Sequence, residues 1–183
     1  MRSTRRRARA LAYAAFYGLP HALRRRIVRV FVRKYIVGGV CIIRDSEAPE
    51  PGRILLLRQP PGRGWGLPAG LLHSKEPPVV GAARELAEET GVRIRPRDLR
   101  PASPNAIVHA AGWVDMVFEG FVPASSTKLV VDGAEVWEAR WFSFDDLPRL
   151  STATARVLAF YGLGPLAAQH AADQARIIEA AGG

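Results

Sequence analysis

The apolar positions in the first part of the chain repeat with the period of a helix. Helices are predicted over residues 8–17 and 20–32, with the turn Gly18-Leu19-Pro20 between them. In the second helix, apolar side chains recur at helix-like spacing and arginines fill much of the remaining surface. The apolar positions are Leu23, Ile27, Val28 and Phe31, and the arginines are Arg24, Arg25, Arg26 and Arg29. Residues 1–34 are therefore expected to form a basic helical extension.

The pattern then changes to short apolar runs that are typical of strands between loops. Strands are predicted at residues 35–44, 53–58, 92–94, 106–110, 113–122 and 135–144. An internal helix is predicted from Pro77 or Pro78 to Gly91, because proline suits a first helical turn and glycine suits the position after the last. Helix returns from residue 152, with a break at 162–165. Many strands around one internal helix, with another helix later, predict an α/β/α sandwich.

Length and charge divide the chain further. Its 183 residues, 48% of them hydrophobic, suit one globular domain with terminal extensions. We predict a basic extension at residues 1–34, a central domain at 35–156 and a helical tail at 157–183. The net charge is +9, yet residues 1–34 contain 11 of the 26 basic residues and none of the 17 acidic ones. The high positive charge therefore belongs to the extension and says nothing about a site in the central domain.

The cysteine content and the hydropathy indicate the compartment. The one cysteine, Cys41, excludes an intrachain disulfide framework and leaves no thiolate zinc cluster, so it is expected to be core packing in a reducing compartment. No apolar stretch approaches the roughly 20 residues that span a bilayer. The basic N-terminal segment superficially resembles a signal peptide, but its apolar part is short, and we expect it to be retained. These features predict a cytoplasmic protein.

Three acidic residues of the internal helix point to chemistry. Glu85, Glu88 and Glu89 occupy positions i, i+3 and i+4 and therefore share one face, while Leu86 lies on a different face. Like charges at this spacing destabilise a bare helix by about 0.2–0.5 kcal/mol per pair. A hard cation such as Mg²⁺ or Mn²⁺ reverses that effect, binds phosphate oxygens and acidifies an attacking water. The cluster thus predicts a divalent metal site.

The surrounding segment, GLLHSKEPPVVGAARELAEETGV, resembles a complete Nudix box, G-x5-E-x7-R-E-U-x-E-E-x-G-U, where U is a bulky aliphatic residue. Every specified position matches. These positions are Gly70, Glu76, Arg84, Glu85, Leu86, Glu88, Glu89, Gly91 and Val92. Segments 65–69 and 138–148 also resemble the family, so the resemblance covers about residues 35–156. It does not cover residues 1–34 or the end of the tail.

Membership of the Nudix hydrolases implies a fold, an activity and a set of roles. The fold would be a Nudix-type α/β/α sandwich with a mixed sheet. The activity would be metal-dependent hydrolysis of a phosphoanhydride bond in a nucleoside diphosphate linked to another moiety. Metal ligands for Mg²⁺ or Mn²⁺ would be Glu85, Glu88, Glu89, Glu76 and the carbonyl of Gly70. Arg84 would orient the carboxylates through an ion pair, since it stands four residues before Glu88.

The general base varies in position among Nudix proteins and often comes from a loop after the box. Glu135 stands six residues before Trp141, a spacing that resembles that of the base in some members. It is our candidate for the residue that activates water. Asp132 and Glu138 lie close enough in the sequence to compete, and a surface acid at a strand edge is an equal alternative for Glu135.

Substrate recognition is less specified by the sequence. Arg58 is the candidate contact to phosphate, and Trp65 or Trp113 are candidates for stacking on a base. His73 is expected to be an exposed loop residue, and no zinc site is supported. The substrate is expected to be of the ADP-ribose, nucleotide-sugar or (d)NTP type. A sensor that binds such a nucleotide without rapid turnover is the alternative, although the intact set of glutamates favours catalysis.

The basic extension has three interpretations. It is an extra helix packed on the enzyme with solvated arginines, an amphipathic surface for an anionic membrane, or a contact for nucleic acid. We favour the first, and nucleic acid least, because no nucleic-acid fold signature accompanies the arginines. The membrane alternative would place the protein peripherally at the inner membrane surface. The expected partner is otherwise a small nucleotide derivative, and a homodimer is an open alternative.

Overall fold

The computed structural model describes residues 2–32, 34–50 and 52–182. The chain divides into two compact units, with the boundary between Tyr35 and Ile36. None of the helices within these ranges combines the length and apolar character that a membrane crossing needs.

The first unit consists of two helices, α1 (Arg2–Gly18) and α2 (His21–Phe31). The predicted turn between them is present, and α2 begins after Pro20, whose carbonyl accepts hydrogen bonds from the N–H groups of Leu23 and Arg24. Proline ends one helix and starts the next because it lacks an N–H group but has a backbone angle that suits a first helical turn. Helix α1 begins earlier than the predicted residue 8.

The second unit is built on one seven-stranded sheet. Its strands are β1 (Ile36–Asp45), β2 (Arg53–Arg58), β3 (Trp65–Gly66), β4 (Ala69–Leu71), β5 (Arg100–His109), β6 (Trp113–Val122) and β7 (Glu138–Ser143). The main path runs β3-β2-β1-β6-β5, while β4 pairs with β1 and β7 pairs with β2. Strand β1 is parallel to β6 and antiparallel to β2 and β4. The predicted mixed sheet is therefore confirmed.

Helices cover both faces of this sheet. They are α3 (Pro78–Thr90) on one face, and α4 (Thr152–Ala159) on the other, followed by α5 (Ala167–Gly182). Alternate residues of β1 serve the two cores: Cys41 and Ile43 pack with α3, whereas Val40 and Ile42 pack with α4. This alternation follows from the two-residue period of a strand. The α/β/α sandwich is confirmed, and α4 runs across the position where the helical tail was predicted to begin.

Cys41 has the predicted structural role. Its side chain is fully buried, and the thiol lies 3.3 Å from the carbonyl oxygen of Ala82. Burial, with a smaller effect of the Glu89 charge, raises the pKa of the Cys41 thiol to about 12. The residue is therefore an inert part of the packing between β1 and α3.

The strand predicted at residues 92–94 does not form. Gly91 ends α3 in the left-handed region with φ of 75°, and the chain continues into a short 3-10 turn at Pro96–Asp98. Val92 is buried and Ile94 packs on the same core, so the apolar run fills space beneath the helix instead of pairing with a strand. A short apolar run has the same sequence appearance in both cases.

The strand predicted at residues 135–144 begins later, at Glu138. The carboxylate of Asp132 accepts hydrogen bonds from the N–H groups of Ala134, Glu135 and Val136, which holds those residues in a turn. Such local side-chain to backbone bonds compete with strand pairing. Glu135 consequently lies in a loop before β7.

Candidate active site

Helix α3 is fixed to the sheet by its small residues. At Gly39 of β1 an added Cβ would lie 2.9–3.0 Å from atoms of Ala82, so the helix lies directly against the strand. Ala82 and Leu86 are buried in this contact. Because the glutamates belong to other faces of the helix, this packing fixes their position relative to the sheet.

The guanidinium of Arg84 is the centre of a group of ion pairs. It donates to Glu76 from Nε at 3.0 Å, to Glu85 from Nη1 at 2.8 Å, and to Glu88 from Nη1 at 2.9 Å. A further bond of 3.0 Å runs from Nη2 to the carbonyl oxygen of Leu71 in β4. The predicted pairing of Arg84 with Glu88 is thus present. Arg84 also holds two other members of the box, because its planar fork offers five donors.

Glu76 is held strongly in its ionised form. Arg84 bonds to both of its carboxylate oxygens, and the N–H of His73 donates to Oε2 at 2.8 Å. The bonds from Arg84, followed by the interaction with His73, lower the pKa of Glu76 to about 2. His73 itself is exposed, as expected for a loop histidine.

Glu89, in contrast to Glu76, lies in an environment that favours its protonated form. It is buried, and its two carboxylate oxygens accept hydrogen bonds from the N–H of Ala69 at 2.9 Å and from Nε2 of Gln59 at 2.7 Å. Burial raises the pKa of Glu89 to about 7, and the charges of Glu85 and Glu135 contribute in the same direction. Glu76, in the loop before α3, and Glu89, near the end of α3, therefore have very different affinities for a proton.

Gln59 was missed by the sequence analysis. It follows Arg58 at the end of β2, and only the three-dimensional pairing of distant segments brings it to Glu89. The one indication in the sequence was that Gln59 directly follows Arg58, the candidate contact to phosphate.

Gly70 lies against the Glu85 carboxylate. A Cβ at Gly70 would be 2.0 Å from Cδ of Glu85 and 2.3 Å from both of its oxygens. In the pairing of β4 with β1, Gly70 is opposite Gly39. The glycine required by the box thus has a steric reason here, because only a hydrogen fits between the strand and the acid.

The oxygen donors match the chemistry of a hard divalent cation. Carboxylates and a backbone carbonyl are the ligands that Mg²⁺ and Mn²⁺ prefer. Within residues 2–32, 34–50 and 52–182, no three acidic, histidine or cysteine side chains are arranged to hold a metal ion as they stand. The reason is visible in the hydrogen bonds: Arg84 engages Glu85 and Glu88, while Glu89 turns to Gln59 and Ala69. The predicted ligand roles stay predictions.

The three candidates for the general base are in different situations. Asp132 is engaged by backbone N–H groups, which lower its pKa. Glu138 forms ion pairs with Arg140 and Arg58. In the part of the chain that the structure describes, no side-chain hydrogen bond or ion pair engages the Glu135 carboxylate, and its charge acts on Glu89. Of the three, Glu135 is therefore the acid whose carboxylate is not engaged by other described side chains, and its role as the base stays a prediction.

Arg58 lies at the end of β2, between two aromatic side chains. Its guanidinium is 3.7 Å from the Glu138 carboxylate and 5.9 Å from the ring centres of both Trp65 and Trp137. Trp65 packs edge-to-face on Phe142 of β7 at 4.6 Å, which makes it a core residue more than a free stacking surface. Trp137 was not considered from the sequence. It is 44% exposed and offers an aromatic surface that Trp65 does not.

Comparison with known proteins identifies the family of the chain. A family model described as NUDIX domain matches residues 34–161. Over 107 residues the chain is 36% identical to the CMP-5'-(N-acetyl-N-hydroxy-3-aminopropyl)phosphonate hydrolase of Streptomyces rubellomurinus, which covers 57% of this chain and 50% of that protein. Over 69 residues it is 39% identical to a MutT-like protein of Streptomyces ambofaciens, with coverages of 38% and 43%. The chain thus spans half, or less, of the length of these curated relatives.

A solved structure supports the same assignment. The MutT NUDIX hydrolase from Burkholderia pseudomallei superposes with a TM-score of 0.53 at 29% sequence identity, covering 68% of this chain and 95% of that one. The family model extends over most of the chain and includes the helix with the Arg84 cluster. The chain therefore belongs to the Nudix hydrolase family.

Proposed function

We propose that the protein hydrolyses a phosphoanhydride bond in a nucleoside diphosphate linked to another moiety, using a divalent metal ion. The observation that carries this proposal is the group of carboxylates on one turn of α3, of which Glu85 touches the backbone at Gly70 and Glu88 is gathered by Arg84. So many acids in one place are stable only with strong counter-charges, and the substrate of the reaction is itself an anion. A divalent cation bound between the carboxylates and the substrate phosphate would reduce the repulsion between these negative charges.

Each residue then has a role. Glu85, Glu88 and Glu89, with Glu76 and the Gly70 carbonyl, would hold Mg²⁺ or Mn²⁺. The bound cation supplies Lewis-acid polarisation of the phosphate and lowers the pKa of water. Arg84 is a positioning residue, since it ties the ligand-bearing helix to Glu76 and β4.

We assign Glu135 as the group that takes a proton from the attacking water. Its carboxylate lies in the loop before β7, and its charge contributes to the raised pKa of Glu89. Glu135→Gln is expected to lower kcat by about a hundredfold or more while leaving the fold unchanged, because amide and carboxylate have the same shape. Glu138→Gln serves as the competing variant. Near-normal turnover in Glu135→Gln would reject the assignment.

The leaving group is the least defined part of the proposal. One relative acts on a CMP-linked phosphonate, as its name states, and this supports a substrate in which a nucleotide phosphate is joined to a second phosphorus group. Arg58 is our candidate contact to phosphate, and the neighbouring Trp137 could stack on a flat group such as a base. ADP-ribose, nucleotide sugars and (d)NTPs all present these features.

The deciding experiment is a product-resolved screen with the full chain. ADP-ribose, nucleotide sugars, CMP-linked phosphonates and (d)NTPs are incubated with Mg²⁺, with Mn²⁺ and with EDTA, and products are separated by chromatography. We expect turnover of at least one compound that EDTA abolishes and that Glu88→Gln loses. Glu179→Gln, on the exposed face of α5, is the matched control that retains turnover.

The same screen tests the alternative function of a nucleotide sensor. If calorimetry detects metal and nucleotide binding while no compound is hydrolysed, the hydrolase proposal is wrong for these substrates. The sensor would then be the better description.

A further inference from the structure

Helix α2 separates its apolar and basic side chains onto two faces. Leu23, Ile27 and Val30 stand at positions i, i+4 and i+7, so they form one stripe along the helix. By the same count of 100° per residue, Arg25 and Arg29 fall on the other side of the helix and Arg26 flanks the stripe beside Val30. The helix is therefore strongly amphipathic.

Several large apolar residues of this unit are exposed to solvent, while Ile27 of the stripe is half-buried. Val30 retains 77% of its accessible surface, and Leu23 and Val28 are also exposed. In α1, the large side chains of Leu11 and Tyr17 are exposed as well. A concentration of exposed apolar side chains in 30 residues marks a surface that another apolar phase covers, because soluble surfaces rarely leave such patches in water.

The charges of the same unit lack internal counter-charges. Residues 1–34 contain 11 Lys and Arg residues and no Asp or Glu. A groove of about 290 Å³ between the two helices is lined by Phe16, His21, Arg24, Arg25, Val28 and Arg29. Among the described residues, no group accepts a hydrogen bond from Nε of Arg24, although water does not reach this atom. Guanidinium groups around an apolar groove suit a phosphate ester attached to a hydrocarbon.

We propose that α1 and α2 form a peripheral docking surface for an anionic phospholipid bilayer. The stripe of Leu23, Ile27 and Val30 enters the boundary between headgroups and acyl chains, while the arginines bind lipid phosphates. Nucleic acid explains the charge but leaves the apolar stripe in water, so the lipid surface accounts for both features of the helix. The proposal is independent of the hydrolytic activity of the second unit.

Co-sedimentation of the full chain with lipid vesicles tests the proposal. Vesicles of phosphatidylcholine alone are compared with vesicles containing phosphatidylglycerol, in about 150 mM salt. We expect at least about a tenfold higher apparent affinity for the anionic vesicles, because several arginines act together. Equal binding to both compositions, or no binding to either, overturns the proposal.

Two variants separate the contributions of the two faces. Leu23→Gln with Val30→Gln removes the stripe and keeps the charge, whereas Arg25→Gln, Arg26→Gln and Arg29→Gln together remove charge and keep the stripe. Glutamine has a helix propensity close to those of leucine and arginine, and circular dichroism checks that the helices remain. Each variant is expected to lose anionic-vesicle binding by about tenfold or more. Full binding by the stripe variant overturns the proposal.

A charge-matched control and a nucleic-acid arm complete the design. Changing Arg93, Arg95 and Arg97 to Gln removes three exposed arginines from the second unit and should leave vesicle binding unchanged. A single-stranded RNA is titrated against the same proteins. If RNA binds more tightly than anionic vesicles, and the stripe variant binds RNA normally, the surface serves nucleic acid and the membrane proposal is wrong.

Discussion

Helices α3 and α2 both carry clusters of like charge beside an apolar face. They differ in which groups compensate the charges and in whether the apolar face is buried. On α3, Arg84 and backbone N–H groups engage the acids, and the apolar face is buried against β1. On α2, the arginines have no acidic residue within the first 34 positions, and Leu23 and Val30 of the apolar stripe are exposed. A like-charge cluster whose counter-groups come from the same fold is preorganised for chemistry. One without counter-groups in its own unit is, on our proposal, completed by an anionic partner.

The largest expected effect comes from removing a charge from α3. Glu85→Gln should lower kcat by about a thousandfold, equivalent to roughly 4 kcal/mol of transition-state stabilisation, because a neutral amide is a poor ligand for Mg²⁺. Steady-state kinetics on the substrate identified by the screen measure the loss. The fold should persist, since the substitution also relieves repulsion with Glu89. Activity within tenfold of wild type would mean that the α3 acids are not the reaction centre.

The second effect concerns stability and pH. In the unfolded chain Glu89 ionises near pH 4.5, whereas in the folded protein its pKa is about 7. Between these values the folded state holds a proton that the unfolded state has lost. The free energy of unfolding should therefore fall as pH rises from about 4.5 to 7, by at most roughly 3 kcal/mol. Urea titrations in EDTA measure this slope.

Glu89→Gln is the control for that slope. The amide stays neutral, so the decline between pH 4.5 and 7 should largely disappear in the variant. The lowered pKa of Glu76 acts below pH 4.5 and does not overlap this window. An unchanged slope in Glu89→Gln would show that a different group titrates there.

A smaller effect is expected from one added methyl group at the site. In Gly70→Ala the new Cβ would meet the end of the Glu85 side chain, which can swing away. The fold should therefore survive with a thermal midpoint near that of wild type, while kcat falls by about ten- to thirtyfold because Glu85 is displaced. Gly18→Ala, where a Cβ meets nothing within 4 Å, is the matched substitution. If both variants behave alike, Gly70 has no role in placing the acid.

The smallest effect on catalysis is expected when charges are removed from α2 instead of α3. With a water-soluble substrate and no lipid, the triple change of Arg25, Arg26 and Arg29 to Gln should alter kcat/KM by less than about twofold, since these charges belong to the first unit and are exposed. A large loss of activity without lipid would mean that the basic helix contributes to the catalytic site. The two helices would then be one functional region.

The sequence predicted the parts of the site that are local. The preferences of proline and glycine predicted the bounds of α3 and the place of Gly91 after its last turn, and the i,i+4 spacing predicted the pairing of Arg84 with Glu88, because these depend on neighbours along one helix. Gln59 and the contact of Arg84 with Leu71 were not predictable. They arise where β2 and β4 meet the helix, and no periodicity encodes such contacts between distant segments.

The errors in the predicted strands have a similar origin. Residues 92–94 look like a strand because Val92 and Ile94 are apolar on either side of Arg93, yet what they contact is decided by the core under α3. The start of β7 was misplaced because Asp132 binds three successive N–H groups ahead of it, which requires knowing the direction of its side chain. Such competition between a local turn and a sheet is decided by the fold as a whole.

The absence of a side chain at Gly39 determines how closely α3 packs against the sheet. The separation between α3 and the sheet is set by an absent side chain, so any larger residue there would lift the entire helix and all its acids together. Gly70, opposite it in the neighbouring strand, would stay behind. A substitution at this buried position of β1 is therefore expected to change the distance between the acids of α3 and the sheet.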